Sequence, residues 1–439
     1  MLKNKGVHVA VLLSLCWVWL PFIDAAAISN NKFVATLIAL FVFIVIVGLQ
    51  TIIIAKSLRL IKKLKFKNRV LELSTLFVLA AFVLWFLGWI STFIWYGEGA
   101  SIDDVLPFTS ITPFITHTPL KYLTQLFGFH GTTAVFAVLL YAMVKLKDRK
   151  LMAFIAVGLL TLNMGLWQIF KTPHGADIKV QISAQQLANP QHVESSADLL
   201  LLPEYGLDDI TNDNLATRMS GSDSTVFIGS KQTYTAQGNQ NTLLYGTIGQ
   251  GITSERQKSR LIVGGEYLAY SVEPWLRLLS PDTVTNFEVS RKVIRGNDRV
   301  APITTPSGLE VGAAVCSSIL STEDYRNLTN QGAVLLTNSA SLEIFRGSRL
   351  FAVQHRGFAK FMAVANARPF AQSSNNWPAF ALDHNGNQLA QIYPSSTLVV
   401  NLRSNTKKTP YTVLGEWPVM LGGLYLTAMF TIKLKKRFS

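Results

Sequence analysis

Apolar residues crowd the two ends of the chain and thin out in its middle. Stretches long enough to span a bilayer occupy roughly residues 8–28, 34–55, 74–96, 129–145 and 151–170, and a sixth covers about 416–433. Between 171 and 415 the pattern changes to short apolar runs between turn signals, at 179–183, 198–202, 225–229, 308–316, 333–337 and 396–402. Such near-continuous runs predict strands buried on both faces. A helical period separates several of them, as at 348–360. The pattern predicts a polytopic α-helical membrane domain over 1–172 with about five spans. An α/β domain of layered sheets and helices follows over 173–412, then a C-terminal anchor with a basic tail over 413–439. The apolar segment 105–127 contains Pro107, Pro113 and Pro119 and is predicted to be a loop at the bilayer surface.

Charge fixes an expected orientation. Of the formal net charge of +14, much sits between the apolar stretches. Lys56, Arg59, Lys62, Lys63, Lys65, Lys67 and Arg69 fill one connection, and Lys145, Lys147, Arg149 and Lys150 another. Lys433, Lys435, Lys436 and Arg437 form the tail, and Lys3 and Lys5 precede the first stretch. The alternate connections carry Asp24, Glu98, Asp103 and Asp104 instead. This alternation predicts a multi-pass membrane protein with both termini in the cytoplasm and 171–415 outside. Each basic run abuts a span and lacks interleaved aromatics, which argues against nucleic acid as a partner. The N-terminus also imitates a signal peptide, ending in Ala25, Ala26 and Ala27; cleavage there would leave the later topology unchanged.

Candidate chemistry is sparse. Cys316 is the only cysteine of the polar middle, and Cys16, the other in the chain, lies in the first apolar stretch. A lone thiol in an oxidising compartment is either an inert core residue or a nucleophile. No zinc-type cluster, phosphate-binding glycine loop or Gly-x-Ser-x-Gly turn is present, so no metal or cofactor is expected. His130 and His355 read as structural. The run from Tyr267 through Tyr270, Trp275, Leu276, Leu278 and Leu279 mixes aromatics and leucines with little charge. It is either a core helix or a bilayer-dipping flap over a site, and the flap is favoured.

The order Glu204, Lys258, Cys316, each at or just after the end of an apolar run, resembles the carbon–nitrogen hydrolase (nitrilase) superfamily. Membrane stretches before and after that domain resemble its branch of bacterial apolipoprotein N-acyltransferases. The run Lys258 to Tyr267 follows that branch's Lys-x-x-Leu-Val-Pro-Phe-Gly-Glu-Tyr segment without a gap. Ala197 to Glu204 follows its Ala-Asp-Leu-x-x-x-Pro-Glu. Thr337 and Asn338, Gln354 and His355, Ala367 to Pro369, and Leu126 to Gly131 fit its further pattern. Ser317 and Ser318 stand where the family has an aromatic and then an acidic residue, and Ser341 where it has tryptophan. Met362 to Ala365 replaces its Arg-Ala-x-Glu signature.

The resemblance implies a nitrilase-like αββα sandwich and a Cys-nucleophile acyltransferase. Cys316 would take an acyl chain from a phospholipid as a thioester and pass it to the amino group of diacylglyceryl-cysteine in lipoproteins. Glu204 would act as general base, Lys258 would stabilise the oxyanion, and Glu266 would orient Lys258 or assist proton movement. The implied partners are phospholipid, diacylglyceryl lipoproteins and membrane lipids, with the protein a monomer. A membrane-tethered amidase or esterase and a non-catalytic homologue are the competing readings.

Overall fold

The computed structural model describes residues 20, 24, 47–48, 50–54, 68–96, 109–145, 149–184, 193–208, 210–235, 238–262, 265–268, 273–296, 300–342, 345, 347–375, 377–393 and 396–438. The predicted stretch 8–28 lies almost wholly outside these residues and most of 34–55 does too; Cys16 and Tyr270 lie outside them.

The polar middle builds two six-stranded sheets. The first contains β1 (Asp177–Ser183), β2 (Leu199–Leu201), β3 (Val226–Thr235), β4 (Gly238–Thr247) and β5 (Gly251–Gln257). The second contains β6 (Ile303–Thr304), β7 (Glu310–Val315), β8 (Leu335–Ser341), β9 (Phe370–Asn375), β10 (Ala379–Leu382) and β11 (Gln388–Ile392). The last strand, β12 (Thr397–Arg403), returns to the first sheet. The orders are β12-β1-β2-β3-β4-β5 and β11-β10-β9-β8-β7-β6. In each sheet the central strands run parallel, β1 with β2 and β3, and β7 with β8 and β9. Antiparallel strands flank them.

The period of two separates the faces. Leu199, Leu201, Val226 and Ile228 pack between the sheets with Val311, Ala313 and Val315 of the second. Leu200, Leu202 and Phe227 point the other way, into a layer with Leu207, Leu215 and Met219. On the far side of the second sheet lie α6 (Thr322–Asn330) and α7 (Arg349–Asn366), whose Tyr325, Leu328, Phe358 and Met362 are buried with Leu336 and Phe370. Hydrophobic faces on both sides of both sheets explain why these strands read as continuous apolar runs, and the result is the expected αββα sandwich.

Four long apolar helices match predicted stretches: α1 (Arg69–Tyr96), α2 (Thr124–Lys145), α3 (Arg149–Phe170) and α8 (Trp417–Phe438). Arg69–Ile90 of α1, Pro119–Met143, which takes in most of α2 and the turn before it, and Lys150–Phe170 of α3 are long and apolar enough to cross a membrane. Many apolar side chains of α3 and α8 face outward, among them Phe154, Ile169, Leu424 and Phe430. Two short helices between the sandwich strands, α4 (Glu273–Leu279) and α5 (Pro281–Ser290), pair with each other.

Two junctions join the helical part to the sandwich. Gly128 interrupts α2 with φ 70°, a left-handed conformation suited to glycine, and a Cβ there would meet Glu416 Oε1 at 2.8 Å. The Glu416 carboxylate accepts the freed N–H groups of Phe129 at 2.5 Å and His130 at 3.1 Å. A carboxylate at a helix start satisfies orphan donors and complements the helix dipole. At the second junction Gly357 of α7 lies so close to Pro113 that a Cβ would meet its carbonyl oxygen at 2.1 Å. This corrects the expectation for 105–127. From residue 109 the segment folds into short helices at Thr112–Ile115, which packs on α7, and Pro119–Leu123, which packs mainly on α3. Pro113 and Pro119 sit at helix starts, where no N–H bond is lost. Hydroxyls of Ser110, Thr112 and Thr116 satisfy carbonyls of Phe129, Pro113 and Gly357.

Candidate active site

Glu204 lies in the turn that leaves β2, where the chain bridges both sheets. Its N–H donates to the Ala340 carbonyl at 3.3 Å, and the Asn375 side-chain amide holds its carbonyl. The next residue, Tyr205, takes φ 64° and donates its N–H to the Ser230 hydroxyl at 3.1 Å. Cys316 follows β7 directly and takes φ 46°, unfavourable for a side chain with a Cβ. Both strand ends therefore turn sharply and aim a polar side chain at one spot between the sheets.

Lys258 follows β5. Its N–H donates to the Asn241 carbonyl at 2.7 Å, and its own carbonyl accepts from Gly296 at 2.9 Å. The ammonium donates to Glu204 Oε1 at 3.0 Å and to Glu266 Oε1 at 2.7 Å. Glu266 is held in turn by the N–H of Ile262, 2.8 Å from Oε2. Glu204, Lys258 and Glu266 are all at most 4% exposed. A cation shared by two carboxylates at this depth is a charge-assisted network, since an unpaired buried charge would be strongly penalised.

The electrostatics follow from that network. Burial disfavours the Lys258 ammonium, but Glu204 and Glu266 overcome this and hold its pKa well above the usual lysine value. Burial raises the Glu266 carboxyl, opposed by Lys258. The Cys316 thiol is pushed far up by burial and by the negative charge of Glu204, with Lys258 pulling the other way. Lys258 is thus the resident cation, and Cys316 rests as a neutral thiol that needs a base at the moment of attack. Its Sγ–H points at the Ser341 carbonyl at 3.7 Å.

All four residues predicted to act together, Glu204, Lys258, Cys316 and Glu266, converge here. Three more groups belong to the same network. Asn241 of β4, 1% exposed, donates to Glu204 Oε1 at 2.6 Å and reaches Glu266 Oε1 at 3.5 Å. The backbone N–H of Ser341 donates to Glu204 Oε2 at 3.0 Å. Asn338 donates to the Cys316 carbonyl at 3.3 Å, behind the nucleophile. Asn338 was legible through the Thr337–Asn338 pattern. Asn241 was not, because only the pairing of β4 with β5 brings it beside Lys258.

Of the altered residues after Cys316, Ser317 has a partner of its own. The Ser317 hydroxyl donates to the Arg260 carbonyl, and the Arg260 guanidinium binds Asp324 at 2.9 and 3.1 Å. They pin the lysine segment against the turn that carries Cys316. Beside the thiol is an apolar cavity of about 50 Å³ lined by Ile262, Leu320, Leu342, Phe345, Phe351 and Phe358.

The expected flap residues take different positions. Tyr267 is half-buried next to Glu266. Leu276 is half-buried on α4, while Trp275, Leu278 and Leu279 are 65%, 73% and 77% exposed. No residue of α4 is buried, so the core-helix alternative does not hold for it.

No family model matches the chain. It is 28% identical over 180 residues to apolipoprotein N-acyltransferase of Vibrio vulnificus, covering 40% of this chain and 34% of that protein. It is 25% identical over 195 residues to the protein of the same name from Photobacterium profundum, covering 44% and 36%. With that from Haemophilus influenzae it shares 25% identity over 384 residues, covering 77% and 70%. The chain thus spans about a third of the length of the first two relatives. Among solved structures it is similar to a carbon-nitrogen hydrolase from Helicobacter pylori G27, at 13% identity and a TM-score of 0.37, covering 52% of this chain and 89% of that one. An amidase from Nesterenkonia sp. gives 14%, 0.36, 53% and 93%. In sequence, the chain is a distant relative of the apolipoprotein N-acyltransferases.

Proposed function

We propose that this protein is an N-acyltransferase of bacterial lipoprotein maturation. Cys316 accepts a fatty acyl group from a membrane phospholipid and transfers it to the amino group of a diacylglyceryl-cysteine N-terminus. The observation that carries this reading is the buried Lys258 ammonium shared by Glu204 and Glu266 beside a thiol after a strand end. Sequence similarity to apolipoprotein N-acyltransferases, with that of Haemophilus influenzae over 77% of the chain, supports it.

The chemistry runs in two stages. Glu204 takes the Cys316 proton as sulfur attacks the ester carbonyl. Lys258 stabilises the tetrahedral oxyanion, and collapse expels the lysophospholipid, which regains a proton from Glu204. The lipoprotein amine then attacks the thioester, Glu204 again accepts the proton, and the Cys316 thiolate leaves and is reprotonated. Glu266 and Asn241 hold Lys258 and Glu204 in register. The exposed face of α4, with Trp275, Leu278 and Leu279, serves as the flap that meets the bilayer and admits an acyl chain.

In this reading 1–172 is the membrane domain, 173–412 faces outside the inner membrane, and 413–439 is an anchor with a cytoplasmic tail, the protein acting as a monomer. The test is the intact mass of the purified protein supplied with phospholipid but no acceptor. A fatty acyl adduct removed by hydroxylamine and absent from Cys316→Ala supports the assignment; full activity in Cys316→Ala removes it. Cysteine labelling near residue 240 checks the topology, and protection of that site in intact spheroplasts would overturn it.

A further inference from the structure

Helix α7 presents one face to the cavity beside Cys316, through Phe351, His355 and Phe358. Another face carries Arg356 and Lys360, next to His117 and Lys121 of the segment leading into α2. Lys360 donates to His117 Nδ1 at 3.3 Å, and His117 Nε2–H donates to the Val353 carbonyl at 3.0 Å. This fixes His117 as a neutral ring, since an ammonium has no acceptor to offer. Lys121 donates to the Asn387 side-chain oxygen at 2.9 Å. Arg356 donates to Gln391 at 2.6 Å and lies over the Phe380 ring, 5.7 Å from its centroid. Its Nε is buried without a partner among the described residues.

Three cations therefore converge, each held by a neutral group. The acid close to them is Asp383, and its oxygens already accept the N–H groups of Asn385 and Asn387 and the Asn387 amide. Burial and Arg356 both disfavour the Lys360 ammonium, and burial disfavours Arg356. Like charges gathered at half-burial with a single carboxylate, Asp383, beside the three of them are unfavourable unless a further anion joins them.

Position identifies the anion. Lys121 lies just ahead of α2, and Asn163 of α3 donates to the carbonyl of neighbouring Pro119 at 3.0 Å. Near the same end of α3, Lys171 sits over Trp167, a pairing typical of the membrane–water interface. We infer that Lys121, Arg356 and Lys360 form a binding site for the phosphate of an anionic phospholipid headgroup, separate from the Cys316 site. The bound phosphate would seat α7, and with it the cavity wall beside Cys316, on the membrane surface.

The experiment uses the full chain carrying Cys316→Ala, so that acyl transfer cannot consume the lipid. Native mass spectrometry from detergent then reads retained phosphatidylglycerol against phosphatidylcholine. Selective retention of phosphatidylglycerol is expected, falling roughly tenfold or more in Lys121→Gln/Lys360→Gln, since two of the three cations that hold the phosphate are then lost. Arg356→Gln should reduce it too, with circular dichroism showing each variant folded. Displacement of the lipid by millimolar inorganic phosphate would support a site that reads the phosphate alone; resistance would support one that needs the lipid. Equal retention of phosphatidylglycerol by parent and double variant, or no preference over phosphatidylcholine, would overturn the proposal.

Discussion

Ser341 donates its backbone N–H to Oε2 of Glu204 across 3.0 Å, from the end of a strand in one sheet to a turn in the other. The contact uses no side-chain atom of Ser341. A serine at this position therefore leaves the orientation of the proposed base intact. Ser317, by contrast, uses its side chain, the hydroxyl donating to the Arg260 carbonyl.

Cys316 reactivity should report its neighbours with a definite sign. The folded thiol pKa lies above the ordinary value, so the thiolate fraction at neutral pH is below that of free cysteine. Alkylation by iodoacetamide at pH 7 without substrate should be at least about tenfold slower than for a free thiol. Glu266→Gln removes a charge that raises the pKa and should speed alkylation; Lys258→Met removes one that lowers it and should slow it. The opposite order would contradict the network.

Asn241→Leu should lower kcat by about tenfold to a hundredfold with little change in KM, because it loosens Glu204 without touching a bound acyl chain. Lys258→Ala should cost on the order of a hundredfold or more in rate. Single-turnover acylation of Cys316 is the measurement; an unchanged rate in Asn241→Leu would remove its positioning role.

The exposed α4 face makes transfer and hydrolysis separable. With saturating lipopeptide in mixed micelles, N-acylated product should exceed free fatty acid. Trp275→Ala or Leu278→Asp should weaken transfer and raise the hydrolytic share while the sandwich stays folded, since neither side chain is buried. Free fatty acid as the main product of the parent would make the protein a membrane-tethered hydrolase.

His355 predicts an acid-sensitive fold. Burial depresses its folded pKa to about 4, opposed by the hydrogen bond with Gln372 at 2.9 Å. The unfolded chain therefore binds this proton more readily. The contribution is fully present above the unfolded value near 6.5 and is lost as pH falls toward the folded one, amounting to about 3 kcal/mol at full span. Melting followed between pH 7 and pH 4.5 should show this slope, and His355→Gln should flatten it.

Much of this was readable along the chain. Leu199 to Leu202 announces a strand buried on both faces, and the order Glu204, Lys258, Cys316 with Glu266 names the residues that meet. What the sequence hides is lateral. Asn241 reaches Glu204 only through strand pairing, and Ser341 acts through its backbone, which no residue type betrays. The segment 105–127 read as a surface loop because its prolines are visible locally, whereas Thr116 finds its acceptor at Gly357, far along the chain.

The clasp between Glu416 and the bend at Gly128 has a consequence for how the protein is made. Two N–H groups early in the chain find their acceptor in a residue translated nearly three hundred positions later. Until the ribosome has passed Glu416, the α2 bend lacks that partner. Assembly of the helices in the bilayer is therefore finished only after the sandwich has been synthesised. Chains cut short before Glu416 should be recognised by quality-control proteases even when every catalytic residue is present.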